Sequence, residues 1–166
     1  MVTLAVTGHR DLTDQTAELV RAELRKLLAT RAADGPLVGL SCLAAGADTI
    51  FAEELVDAGG ELVVVFPARG YRENRGHAAH APSFDRLVRA AVEVQELHFS
   101  EVSQEAYQAA NEVLLARADV VVAVWDGRPP AGPGGTGELV QRSRAAGVEV
   151  VRVWPEGAAR TGGQGG

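Results

Sequence analysis

Hydrophobic and polar positions along this chain switch repeatedly between the period of a strand and the period of a helix. Residues 2–6 form a short β-branched run; beyond Thr7, Gly8, His9 and Arg10, a helical pattern starts near Thr13 with Val20, Leu24, Leu27 and Leu28 on one face. Residues 37–41 read as a second strand and residues 44–48 as a tight small-residue turn. Ile50, Phe51 and Leu55 then mark a helix that ends at Gly59 and Gly60. A third strand over residues 61–66 stops at Pro67, and a polar stretch over residues 68–82 leads to a helix around residues 83–92. A weaker strand is expected over residues 94–99 and a helix over residues 104–117, with Tyr107, Ala110 and Leu114 on one face. Residues 119–125 are apolar on both faces, as in a central parallel strand covered by helices. A glycine- and proline-rich loop follows, then a helix from about Glu138 to Gly147 and a last strand over residues 148–154.

Strands alternating with helices, without hairpin signals, imply right-handed crossovers. The expected fold is α/β: a three-layer Rossmann-like domain over residues 1–155, with a mostly parallel sheet of about six strands covered by helices on both faces. Residues 156–166 lack a periodic pattern and are expected to form a flexible Gly-rich tail.

Composition narrows the partners. A formal charge of −6 argues against a nucleic-acid duplex or an anionic membrane as the main partner, while a small anion needs only local donors. No apolar run approaches the roughly 20 residues that span a bilayer. The start of the chain reads as a first strand rather than a secretory signal, which favours the cytoplasm. Cys42 is the single cysteine, so an internal disulfide or a multi-thiolate metal site is not expected, and a buried thiol is. His77 and His80 lie three apart with no close carboxylate or cysteine to complete a metal set. Neither a metal nor another cofactor is expected.

Three loops follow strands and gather small and polar residues: residues 7–10, 41–48 and 126–138. In a parallel sheet they converge at the C-terminal edge, where glycines let backbone amides approach a ligand. Gly134, Gly135, Thr136 and Gly137, between the strongest strand and a helix, suit a phosphate cradle, although a plain strand-to-helix turn uses the same residues. The chain has neither Gly-Lys-Ser/Thr nor Gly-x-Gly-x-x-Gly after its first strand, so kinase-type and hydride chemistry lose support. Arg10 suits a phosphate or carboxylate, or a capping ion pair with Asp11 or Asp14. His9 fits a donor, a proton carrier or a structural bond to backbone. Asp48 fits helix capping and contact with a ligand hydroxyl equally. Glu138 is the candidate general acid or base, or a cap. Asn111 suits a ligand contact or a buried network. Ser41, Gly46, Asp126 and Gly127 complete the candidate binding set.

Thr7-Gly8-His9-Arg10, the Ser-Cys-Leu-Ala-Ala-Gly-Ala-Asp segment from Ser41 to Asp48, residues 119–127, and Gly134-Gly135-Thr136-Gly137-Glu138 together resemble the SLOG superfamily of Rossmann-like proteins. The layout is similar to the YspA-like branch. It is more distantly similar to Lonely-guy phosphoribohydrolases, molybdenum-cofactor carriers and the Rossmann part of DNA-processing protein A. The resemblance implies a nucleotide or nucleotide-derived ligand and a homodimer. Lonely-guy enzymes carry a PGGxGTxxE motif whose glutamate takes part in N-glycosidic cleavage. Here Glu138 stands where threonine is expected and Gln141 where that glutamate is expected, and Gln141 cannot ionise.

The leading expectation is therefore a module that binds or senses a nucleotide-type small molecule. A nucleotide-processing hydrolase using Glu138, with Arg10 stabilising developing charge, is the alternative. A scaffold whose loops hold no ligand ranks third.

Overall fold

The computed structural model describes residues 1–71 and 81–162. Along the chain run β1 (Val2–Gly8), α1 (Asp14–Ala32), β2 (Leu37–Ser41), α2 (Ala47–Asp57), β3 (Glu61–Phe66), α3 (Ala81–Ala90), β4 (Glu93–Glu96), α4 (Gln104–Arg117), β5 (Val120–Val124), α5 (Thr136–Ala145) and β6 (Glu149–Val153). The strands form one six-stranded sheet in the order β4, β3, β2, β1, β5, β6, and every neighbouring pair is parallel.

The pleat sorts the core into two layers. Leu4, Val6, Leu62, Val64, Val120 and Val122 pack against Val20, Leu24 and Leu28 of α1, Phe51 and Leu55 of α2, and Phe84 and Leu87 of α3. Their neighbours in sequence, Ala5, Val63, Val65 and Val121, point the other way and pack against Ala110 and Leu114 of α4 and Leu139 of α5. All five residues of β5 are buried, which explains why its sequence shows no polar alternation.

Chain direction decides where a site can form. From β1 the chain builds outward through β2, β3 and β4, then returns to place β5 on the other side of β1. The crossovers therefore diverge between β1 and β5, and a crevice opens beyond the carboxyl ends of those two strands.

Boundaries differ from the sequence expectation where pairing extends or curtails an element. β1 runs on to Gly8 because Thr7 and Gly8 pair with Ala123 and Val124, so these two residues end a strand rather than begin a loop. β4 stops at Glu96, short of the residues 94–99 expected. α5 starts at Thr136, two residues earlier than expected. Residues 159–161 of the supposed flexible tail are tied down. Ala159 N–H donates to Thr16 Oγ1 at 2.7 Å, Thr161 N–H donates to the Asp11 carbonyl at 2.7 Å, and Leu12 and Arg160 form an antiparallel bridge. His77 and His80 lie outside the described residues, and no metal-binding cluster occurs among the described ones. No helix among the described residues is long and apolar enough to cross a membrane.

Candidate functional site

At the β1–β5 divergence lies a cleft of about 970 Å³, walled by the end of β1, the start of α4, the loop between β5 and α5, and Arg160. Gly8 makes the floor possible: a Cβ there would sit 2.5 Å from Ala47 Cβ and 2.8 Å from the Val124 carbonyl oxygen. The loop at 41–48 is locked to β1 by the same economy of space. Ala47 N–H donates to the His9 carbonyl, and Gly46, at φ 82°, would push a Cβ to 2.6 Å from that carbonyl oxygen.

His9 takes the structural course of its alternatives. Its ring is 8% exposed, Nε2 accepts the Asp126 N–H at 3.1 Å, and Trp154 meets it edge-on at 5.5 Å between centroids. An imidazole nitrogen that accepts a backbone N–H carries no proton there. Burial, reinforced by Arg160, pushes the His9 pKa below its ordinary value, outweighing the opposing pull of the Asp126 carboxylate. For Asp126, burial pushes upward, but the Arg128 N–H, the His9 ring once protonated, with Nε2 3.3 Å from Oδ1, and Arg160 together hold its carboxyl below the ordinary range. His9 is thus neutral and Asp126 ionised at neutral pH.

On the far side of the cleft, the β5–α5 loop is held by three bonds. Asn111 Nδ2 donates to the Gly134 carbonyl at 3.2 Å, Gly134 N–H donates to Glu138 Oε1 at 3.0 Å, and Thr7 Oγ1 meets Thr136 Oγ1 at 3.1 Å. Gly134 adopts φ 85°, and at Gly137 a Cβ would lie 3.0 Å from the Pro130 backbone, so both glycines serve the loop's shape. Gly135 is different: nothing lies within 4 Å of a Cβ there, and no side chain caps the first turn of α5. Amides that a capping residue ordinarily satisfies are left to the cleft. Arg10 stands at the mouth with its guanidinium carbon 5.6 Å from the Tyr107 ring centroid, and it forms no ion pair among the described residues. The capping pair with Asp11 or Asp14 is therefore not made.

The structure brings Thr7, Gly8, His9, Arg10, Asp48, Asn111, Asp126, Gly134, Gly135, Thr136 and Gly137 to one cleft. It does not bring Ser41, Gly46, Gly127 or Glu138 to the cleft wall. Ser41 is fully buried, donating to the Asp48 carbonyl and accepting from Leu43 N–H. Gly127 supplies a turn at φ 87° beside Arg152. Glu138 is turned back onto Gly134, whose N–H its Oε1 accepts at 3.0 Å, a capping geometry. Asp48 accepts from Ala44 N–H at 3.3 Å, so its carboxylate secures its own loop at the edge of the cleft. Tyr107, Arg128 and Arg160 line the cleft without having been singled out. Tyr107 had signalled only a buried helix face. Arg160 carried no signal, because nothing in an aperiodic tail says where it docks.

No protein-family model matches the chain, and no curated protein does. Solved structures match by fold. DNA processing protein A from Streptococcus pneumoniae superposes with a TM-score of 0.68 at 18% identity over 94% of this chain and 51% of that one. The DNA processing protein A of Helicobacter pylori, described with its single-stranded DNA binding mode, gives 0.64 at 17% identity over 96% of this chain and 68% of that one. The molybdenum cofactor carrier protein of Chlamydomonas reinhardtii gives 0.55 at 18% identity over 91% of this chain and 75% of that one. The chain thus spans about half the length of the pneumococcal protein. What these likenesses establish is the fold, a Rossmann-like α/β domain.

Proposed function

We propose that the cleft binds a phosphate-bearing, nucleotide-type small molecule, with phosphate on the uncapped start of α5 and beside Arg10. The observation that carries this reading is the first turn of α5, whose amides meet no side-chain cap where Gly135 leaves open space. Tyr107 and Arg10 at the mouth offer a flat, cationic surface suited to a heteroaromatic ring. Solved structures with this fold are described with a molybdenum cofactor and with single-stranded DNA, ligands that share a phosphate and a heteroaromatic ring. That shared chemistry supports the ligand class. The commitment of Glu138 to Gly134 favours binding over hydrolysis.

A thermal-shift screen with nucleoside mono-, di- and triphosphates, cyclic nucleotides, nucleotide sugars and a short single-stranded oligonucleotide tests the reading, each hit being followed chromatographically for released base or phosphate. A ligand at 100 times its Kd adds about 2.7 kcal/mol of stability, and at about 2–4 °C per kcal/mol the shift is visible. Stabilisation without product is expected. Product would establish the hydrolase instead, and no shift with any compound would leave the scaffold.

A further inference from the structure

Beyond the glycine-lined turn, the cleft wall includes a residue from the far end of the chain. Arg160 is 12% exposed, its Nε donates to Asp11 Oδ1 at 2.8 Å, and its Nη1 lies 3.8 Å from Asp126 Oδ2. Asp11 belongs to the β1–α1 loop and Asp126 to the β5–α5 loop, so one guanidinium joins the two loops that flank the divergence of the sheet. The backbone around it is fixed by the bridge to Leu12 and the bonds of residues 159 and 161 to α1 and its preceding loop.

We infer that Arg160 is a positioning residue of the binding cleft: it pairs with Asp11, shares Asp126 with Arg128 so that both carboxylates are offset, and spans the loops that carry Arg10 and the α5 turn. This rests on the reading of the cleft as an anion site. The reason is electrostatic. Asp11 and Asp126 both line the cleft, and without a partner cation they would present two negative charges to an incoming phosphate. Arg128, 3.7 Å from Asp126 Oδ2 and much more exposed, offsets only one of them. The segment after β6 is then part of the site rather than an appendage.

The test compares Arg160→Gln and Arg160→Lys with the wild type in the full chain, using AMP and inorganic phosphate as probes. NMR titrations read both probe affinity and the protonation of the His9 ring. The groups facing that ring are Asp126, Arg160 and Asp11, and Arg160 holds its pKa down. The backbone bonds of residues 159 and 161 do not involve the replaced side chain, so the fold should persist, with circular dichroism as the check. Expected are a tenfold or greater loss of AMP affinity in Arg160→Gln, a His9 titration moved to higher pH, and recovery of both in Arg160→Lys. Unchanged AMP affinity in Arg160→Gln overturns the inference while leaving the cleft reading intact. Lost affinity with an unmoved His9 titration also overturns it, since the residue would then act through the fold alone. Binding of neither probe by the wild type would count against the cleft reading itself, and the inference would fall with it.

Discussion

Replacing Gly135 by aspartate separates the proposed anion site from the integrity of the fold, because the two should respond in opposite directions. Gly135 sits at the N-cap of α5 with φ −93° and ψ −179°, an extended conformation open to any residue, and a Cβ there meets nothing within 4 Å. An aspartate can accept from the amide of Gly137 or Glu138 without moving its neighbours. The cap gains a few tenths of a kcal/mol over glycine; the lost freedom of the unfolded chain adds about 0.4–1 kcal/mol. The Tm should therefore hold or rise by a few degrees, at about 2–4 °C per kcal/mol. A phosphate seeking the same amides meets a carboxylate instead. Two unit charges about 4 Å apart repel by about 1 kcal/mol in water and about 4 kcal/mol at an effective dielectric constant of 20. With roughly 1.4 kcal/mol per factor of ten, and a phosphate carrying close to two charges, AMP affinity should fall at least tenfold. Gly135→Asn is the control, since its side chain offers the same cap to the first turn without the charge. Calorimetric titration and a thermal melt on the three proteins suffice. If Gly135→Asp binds AMP as tightly as the wild type while melting no lower, phosphate does not sit on the α5 turn.

Three further outcomes follow from the geometry. Glu138→Gln keeps an oxygen acceptor for the Gly134 N–H, so ligand affinity should stay within about twofold, whereas loss of a measurable turnover in this variant would restore the hydrolase reading. Gly8→Ala places a methyl 2.5 Å from Ala47 Cβ and 2.8 Å from Val124 Cβ, and overpacking of that kind should cost about 1–3 kcal/mol in urea unfolding; no change in midpoint would mean that β1 and α2 can part freely. Because His9 is held below its ordinary value of 6.5, the unfolded chain takes up this proton first, so its contribution to stability is complete above that pH and lost as the pH falls through the folded pKa. Asp126, held below 3.8, adds a second loss only under that pH. Urea midpoints at pH 7.5 and pH 5 should show a decline that is smaller in His9→Asn, and an equal decline would assign the effect to other groups.

The fold was legible because a buried parallel sheet writes itself locally. Five consecutive apolar residues in β5 and the four-residue spacing of Val20, Leu24 and Leu28 are consequences of which faces lose contact with water, and they are visible without knowing the neighbours. The glycine cluster before α5 was legible as well, since its position between a strand and a helix already implies free amides at a helix start. Roles within the cluster were not. Gly134, at φ 85° against the Gln104 carbonyl, and Gly137, against Pro130, are dictated by residues not adjacent in sequence, while Gly135 between them is left open.

Carboxylates and imidazole were harder still. Glu138 next to a cradle suggests chemistry in one dimension, and in three its Oε1 also accepts the Gly134 N–H, a bond no sequence pattern announces. His9 after a strand fits a proton carrier until β5 delivers the Asp126 amide to its Nε2, 117 residues away. Sequence alone therefore determined the layers, the parallel sheet and the edge where a ligand can reach backbone amides, since these follow from periodicity and chain direction. Only the tertiary structure decided which polar groups face the cleft and which are already bonded, including Arg160 arriving from an aperiodic tail. A hydrogen bond or ion pair is directional and spans a few ångströms, and its partner is set by packing rather than by distance along the chain.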